Sequence, residues 1–168
     1  MAAGQNAEYT VPGIAKENGH EIAALMQGRL HALNDLHLAL KHVHWNVVGP
    51  HFIAIHEMLD PQVDLVRGFA DEVAERISTL GGAPSGRSGD LVSDRHWQDY
   101  PLFKAESTEH LTELDKVYVG VIEDHRQLIS KVGDLDPITE DLLISQTREL
   151  EQFQWFVRAH LERVGQGS

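Results

Sequence analysis

Two pairs of side chains in the middle of this sequence have the types and spacing to grip a metal ion. His56 and Asp60 are four residues apart, and so are Asp71 and Glu75. On a helix, an i, i+4 pair shares one face. Imidazole and carboxylate donors suit iron, zinc or manganese. Thiolate ligation is impossible, because the chain has no cysteine. At ~100° per residue all four side chains fall within roughly a quarter-turn, as one polar stripe. Asp60 and Asp71 are separated by about 16 Å of helix rise, whereas metal–ligand bonds are about 2 Å long. One copy of the helix therefore cannot bring both pairs to one ion. Two copies packed antiparallel about a two-fold axis near Leu65 and Val66 would, and an isologous contact makes such a site twice. His44, just upstream, could complete the set. The competing reading is a solvated face, with Glu72 and Arg76 forming surface ion pairs beside Asp71 and Glu75. On that reading His44 is a hydrogen-bonded histidine at the core's edge.

The elements that would position these residues are helical. No long period-two alternation appears, so strands are not expected. A first helix is predicted over residues 19–47, with Ile22, Met26, Leu33, Leu36, Leu40, Val43 and Val47 at mostly three- and four-residue steps. Gly49-Pro50 ends it. A second spans 52–80, stopped by Gly81-Gly82-Ala83-Pro84. Pro61 lies inside it, removes one backbone bond and predicts a kink or local irregularity beside Asp60. A third covers 103–132, with Leu111, Leu114, Tyr118, Val121, His125, Leu128 and Val132 on one stripe and Gly133 as its C-terminal cap. The fourth starts at Asp136-Pro137, an N-cap followed by proline, and continues to about 164. Four such helices imply an all-α four-helix bundle. The link over residues 81–101 is too long for a hairpin and suits a crossover along the bundle, with a short extra helix expected over 94–100. The chain reads as one domain, 1–168, with loose tails over 1–15 and 165–168.

Composition narrows the function. The formal charge is −12, from 26 acids against 14 Lys and Arg. Such a surface repels nucleic acid and lipid headgroups and attracts cations. Eleven histidines is a high count for this length. No apolar stretch approaches the roughly 20 residues of a membrane span. The first ten residues show no basic segment or apolar run, which predicts no secretory signal and a cytoplasmic protein.

Three runs make the pattern specific: His44-Trp45-Asn46-Val47-Val48-Gly49-Pro50-His51-Phe52, then His56-Glu57-Met58-Leu59-Asp60, then Asp71-Glu72-Val73-Ala74-Glu75-Arg76. Together they resemble the signature of the Dps family, the miniferritins named as DNA-binding proteins from starved cells. The run from Lys41 to Asn46 is similar to actinobacterial members, and Phe153-Gln154-Trp155-Phe156 extends the resemblance into the last helix. The resemblance implies a ferritin-like bundle assembled as a hollow homododecamer. It implies oxidation of ferrous iron, preferably by hydrogen peroxide rather than oxygen, at sites between two-fold-related subunits, with ferric mineral stored inside as protection against oxidative stress. The matching metal ligands are His44, His56 and Asp60 of one subunit with Asp71 and Glu75 of its neighbour. Trp45 would lie near the site, where it could quench a radical; the alternative is a core tryptophan. The family's acidic entry pores correspond to the start of the last helix, with Asp141 the best match and Glu140 and Asp136 beside it. The alternative for these acids is compensation of the helix dipole. His42 and His51 fall outside the implied ligand set and read as structural or surface residues.

Ordinary ferritins build their site inside one bundle from Glu-x-x-His motifs on facing helices. The only such spacing here is Glu17 to His20, at the ragged start of the first helix, and it reads as chance. Two other functions compete with ferrous oxidation. One is DNA compaction by a family member with a structural metal site. Relatives that bind DNA use basic tails, whereas residues 1–16 hold one Lys and no Arg, and none follows Arg163. The other is a bundle with structural zinc and no redox turnover, since zinc accepts the same donors.

Overall fold

The computed structural model describes residues 6–162. Four long helices dominate: α1 (Lys16–Asn46), α2 (Phe52–Thr79), α4 (Ser107–Val132) and α5 (Pro137–Leu161). A short α3 (Ser88–Asp94) lies in the link, and two-residue strands β1 (Val47–Val48) and β2 (Ala105–Glu106) pair in parallel. The helices pack α1 on α2, α4 on α5 and α1 on α4 around one apolar core. This is the expected all-α bundle with a crossover. The whole predicted stripes of α1 and α4, including His125, are buried.

Several details differ from expectation. The short helix forms at Ser88–Asp94 rather than over 94–100. Beyond it the chain is extended, because long-range partners hold it open. Trp97 Nε1 donates to Asp35 Oδ2 at 2.5 Å, and Arg95 Nη1 lies 2.5 Å from Asp99 and 3.8 Å from Asp35. The last long-range tie before α4 is the β1–β2 pair, so α4 starts at Ser107 instead of 103. Helix α2 runs unbroken through Pro61. Pro61 and Glu57 are both exposed, so the carbonyl that loses its partner faces solvent and can be hydrated. Gly133 has φ −55° and is not a left-handed cap; a Cβ there would sit 2.8 Å from Glu140 Oε1, so glycine makes room for that side chain. Asp136 does cap α5, accepting from Ile138 N and Thr139 N at 3.2 and 3.3 Å.

Of the predicted tails, 1–5 and 165–168 lie outside the described residues. The segment from Asn6 to Ala15 is not loose. Ala7 N donates to Gly81 O at 2.8 Å, and Val11 and Ile14 pack against the core. Trp155 is 62% exposed although its neighbours Phe153 and Gln154 are buried.

Several interior residues are polar, and His125 is the one whose charge is most affected by burial among the histidines. His125 is fully buried and its Nδ1–H donates to Val121 O at 2.9 Å. Burial, then the Arg29 cation, lowers its pKa from 6.5 to about 4; Gln146 and Asp124 also face it and pull the other way. Between those two values the unfolded chain binds a proton that the folded chain does not. Stability therefore falls as pH drops from 6.5 to 4, by up to about 3 kcal/mol from this one group. Urea unfolding across this range should show His125→Gln with a correspondingly shallower loss than the wild type. Equal losses in both proteins would contradict this role.

Candidate metal centre

The last turn of α1 meets the start of α2 through two histidines. His44 is buried and His56 half-buried. His44 Nδ1 lies 3.0 Å from His56 O, and His56 Nδ1 lies 2.8 Å from His44 O. A carbonyl oxygen only accepts, so both Nδ1 atoms carry hydrogen and donate. In the neutral rings both Nε2 atoms then keep their lone pairs, the form that binds metal. The rings stack with centroids 3.6 Å apart and 22° between planes. Reciprocal bonding thus fixes two imidazoles side by side, each orienting the other.

Asp60 follows one turn along α2. Its Oδ1 lies 3.3 Å from His44 Nδ1 and 3.3 Å from Lys41 Nζ. The side chain is 52% exposed, so its second oxygen is open to a cation. Lys41 also sits 5.8 Å from the Trp45 ring centroid. Trp45 is 70% exposed and so lies outside the core of the single chain. Lys41 carried no signal as a site residue in sequence beyond its spacing. It stands three residues before His44 and four before Trp45, on the same helix face.

Asp71 and Glu75 are exposed in the second half of α2, on the same stripe but about three turns and more away. Among the described residues no three His, Asp or Glu side chains converge to hold a metal ion. The chain alone sets His44 against His56 and against Asp60, without converging the three on one point, and leaves Asp71 and Glu75 apart. Beside Asp71, a groove between α1 and α2 is floored by Gly68, Ala70 and Ala74. A Cβ on Gly68 would meet nothing, so that surface could admit a closely packed helix.

Glu75 is followed by Arg76, which ties α2 to the start of α5. Its Nε donates to Thr139 Oγ1 at 2.9 Å and its Nη2 to Asp136 Oδ2 at 2.5 Å. The Asp136 carboxylate is buried and committed to Arg76, Thr139 and the helix cap, which leaves it unsuited to lining a pore. Glu140 is half-buried with its carboxylate against Gly133. Asp141 alone of the three is exposed. His42 donates from Nε2 to Leu102 O at 2.7 Å and ties α1 to the link, whereas His51 is exposed ahead of α2.

The donor set of imidazole nitrogen and carboxylate oxygen fits iron, with exchangeable positions left for water and oxidant. Comparison with known proteins places the chain, by sequence and fold, in a family. The ferritin-like domain family matches residues 23–166. The DNA protection during starvation protein of Mycolicibacterium smegmatis is 57% identical over 157 residues, covering 94% of this chain and 86% of that protein. The structure of DpsA14 from Streptomyces coelicolor superposes with a TM-score of 0.93 at 60% identity, covering 95% of each chain. Dps from Microbacterium arborescens in the high iron form superposes with a TM-score of 0.83 at 28% identity, covering 90% of this chain and 97% of that one.

Proposed function

This chain belongs to the Dps family of ferritin-like proteins, and we propose that it oxidises ferrous iron at centres shared between two subunits and stores the ferric product in a hollow cytoplasmic homododecamer. The observation that carries the reading is the division of the donors. His44, His56 and Asp60 form an oriented half-site, and Asp71 and Glu75 form a second set on the same helix that one chain cannot fold onto the first. An antiparallel partner helix seated in the small-residue groove beside Asp71 would bring the two halves together, once at each end of the two-fold contact. The high-iron form of the Microbacterium arborescens relative supports iron as the cargo.

Iron here is substrate. Two ferrous ions give one electron each, and hydrogen peroxide takes both with two protons from water and becomes two water molecules. Pairing the electrons this way prevents release of hydroxyl radical, which is the protective function against oxidative stress. The carboxylates contribute negative charge that stabilises the ferric state more than the ferrous one. The stacked imidazoles hold their Nε2 lone pairs ready without further reorganisation. Trp45, exposed next to Lys41, is placed to intercept a stray one-electron oxidant. Asp141, with Glu140 behind it, is the candidate lining of an entry pore near the start of α5; Asp136 is set aside because its carboxylate is already occupied.

Stopped-flow oxidation of ferrous iron, with peroxide and with air, tests the assignment. Asp60→Ala should lower the peroxide-driven rate by at least tenfold, because ligand and orientation are lost together. Rates equal to the wild type would refute the site, and a wild type without oxidation would favour structural zinc.

The printed name of the M. smegmatis relative includes DNA protection. Protection by compaction is the second reading, and the charge of −12 with a nearly base-free N-terminal segment argues against it here. Supercoiled plasmid at low salt should migrate unretarded in the presence of the assembled protein. A stable shifted complex would overturn this.

A further inference from the structure

Asp64 and Arg67 stand on the exposed stripe of α2, between the two donor sets. Within the chain they make one intrahelical contact, Arg67 Nη2 to Asp64 Oδ1 at 3.5 Å, with Arg67 70% and Asp64 73% exposed. A solvated pair of this kind contributes little to the stability of a single chain. Both residues also line the groove beside Asp71, together with Gly68, Ala70 and Ala74. From α1, His37 approaches the same pair. Burial and then the Arg67 cation lower its pKa, so it adds no charge to this face near neutral pH.

The shared centre proposed above fixes where a second α2 must lie. Pairing His56 with Glu75 and Asp60 with Asp71 of the second copy puts the two-fold axis level with the midpoint between Leu65 and Val66. Asp64 and Arg67 lie on either side of that level, each about 2 Å away along the helix. The two-fold therefore sets Asp64 opposite Arg67 of the second copy, and Arg67 opposite its Asp64. At ~100° per residue His56, Asp60, Asp64, Arg67, Asp71 and Glu75 all fall within roughly 100° of one face. The charges at the axis are self-complementary in this register. A slip of three residues one way sets Asp64 against Asp64, and a slip of three the other way sets Arg67 against Arg67.

We propose that Asp64 and Arg67 are positioning residues that set the register of two α2 helices by forming two reciprocal ion pairs across the two-fold axis. The inference rests on the centre shared with a second copy, as proposed above. Trading the intrahelical contact for one across the axis takes both charges out of water together. There unlike charges attract, and like charges repel, more strongly than on an open surface. The matched register is thus favoured and its slipped neighbours are disfavoured by the same two side chains. Neither residue is a metal ligand. Both act by holding His56 and Asp60 level with Glu75 and Asp71 of the second copy.

Charge reversal tests the proposal. Asp64→Arg makes both axial positions positive, and Arg67→Asp makes both negative. Each variant alone should keep the far-ultraviolet circular dichroism of the wild type, because both sites are exposed on a continuous helix. The concentration at which each assembly dissociates, read by native mass spectrometry across a dilution series, should rise at least about tenfold. Mixing the two variants, one of them isotope-labelled, should restore wild-type assembly, with mixed pairs in excess of the random share. The intrahelical contact cannot produce that rescue, since each chain of a mixed pair carries two like charges. Variants that assemble as tightly as the wild type, or a mixture no tighter than its parents, would overturn the proposal. The mass readout needs no iron, so rescue in a protein that fails to oxidise iron would support the pairing and remove only the oxidation reading. A wild type that stays monomeric would remove the shared centre and this proposal with it.

Discussion

Helix α2 is a rigid ruler, and its length is the constraint on which the rest depends. Rise per residue fixes the gap between its two donor sets at about 16 Å, many times a metal–ligand bond. No rotamer of Asp60 or Asp71 spans that gap, and the helix is continuous through Pro61. A metal centre that used both donor sets, as proposed, would therefore require a second copy. The remainder of the fold can be understood as the means of holding one half-site in shape while presenting the other on an open surface.

The holding is done at the α1–α2 junction. Gly49 has φ +99°, which the reversal between the helices requires and which L side chains rarely adopt. That turn brings the last turn of α1 against the first turns of α2. It makes the reciprocal bonds between His44 and His56 possible and places Lys41 within reach of Asp60. The β1–β2 pair then anchors the same junction to the start of α4. At the far end of α2, the buried Arg76–Asp136 pair joins Glu75's neighbourhood to α5. Breaking a buried pair of this kind costs on the order of 3–5 kcal/mol, because one charge is left uncompensated. The second half-site thus belongs to a firm scaffold although its own side chains are solvated.

Much of this was legible in the sequence because it rests on local periodicity. The α1 and α4 stripes, the Gly-Pro stops and the Asp136-Pro137 helix start depend on spacings of a few residues, and the structure has them all. What was not legible depends on partners far along the chain. The link over 94–100 has helical composition but is held extended by Asp35, some sixty residues earlier. Asp136 and Asp141 look alike as first-turn acids, and only the approach of Arg76 from another helix distinguishes them. Trp45 has the composition of a core residue, yet it falls on the outward face beside Lys41. The separation of His56 and Asp60 from Asp71 and Glu75 was legible for the opposite reason, since helix rise is a property of the backbone that side chains do not alter.

The most direct test of a divided centre is complementation between two inactive proteins. Asp60→Ala and Glu75→Ala chains would be purified, dissociated, mixed in equal amounts and reassembled. In a mixed pair, one of the two centres receives Asp60 and Glu75 from opposite intact halves, so random pairing restores about one centre in four. The account predicts that peroxide-driven ferrous oxidation returns in the mixture to roughly that fraction of wild type while each parent alone stays inactive. A reassembled mixture no more active than its parents would contradict a centre shared between subunits.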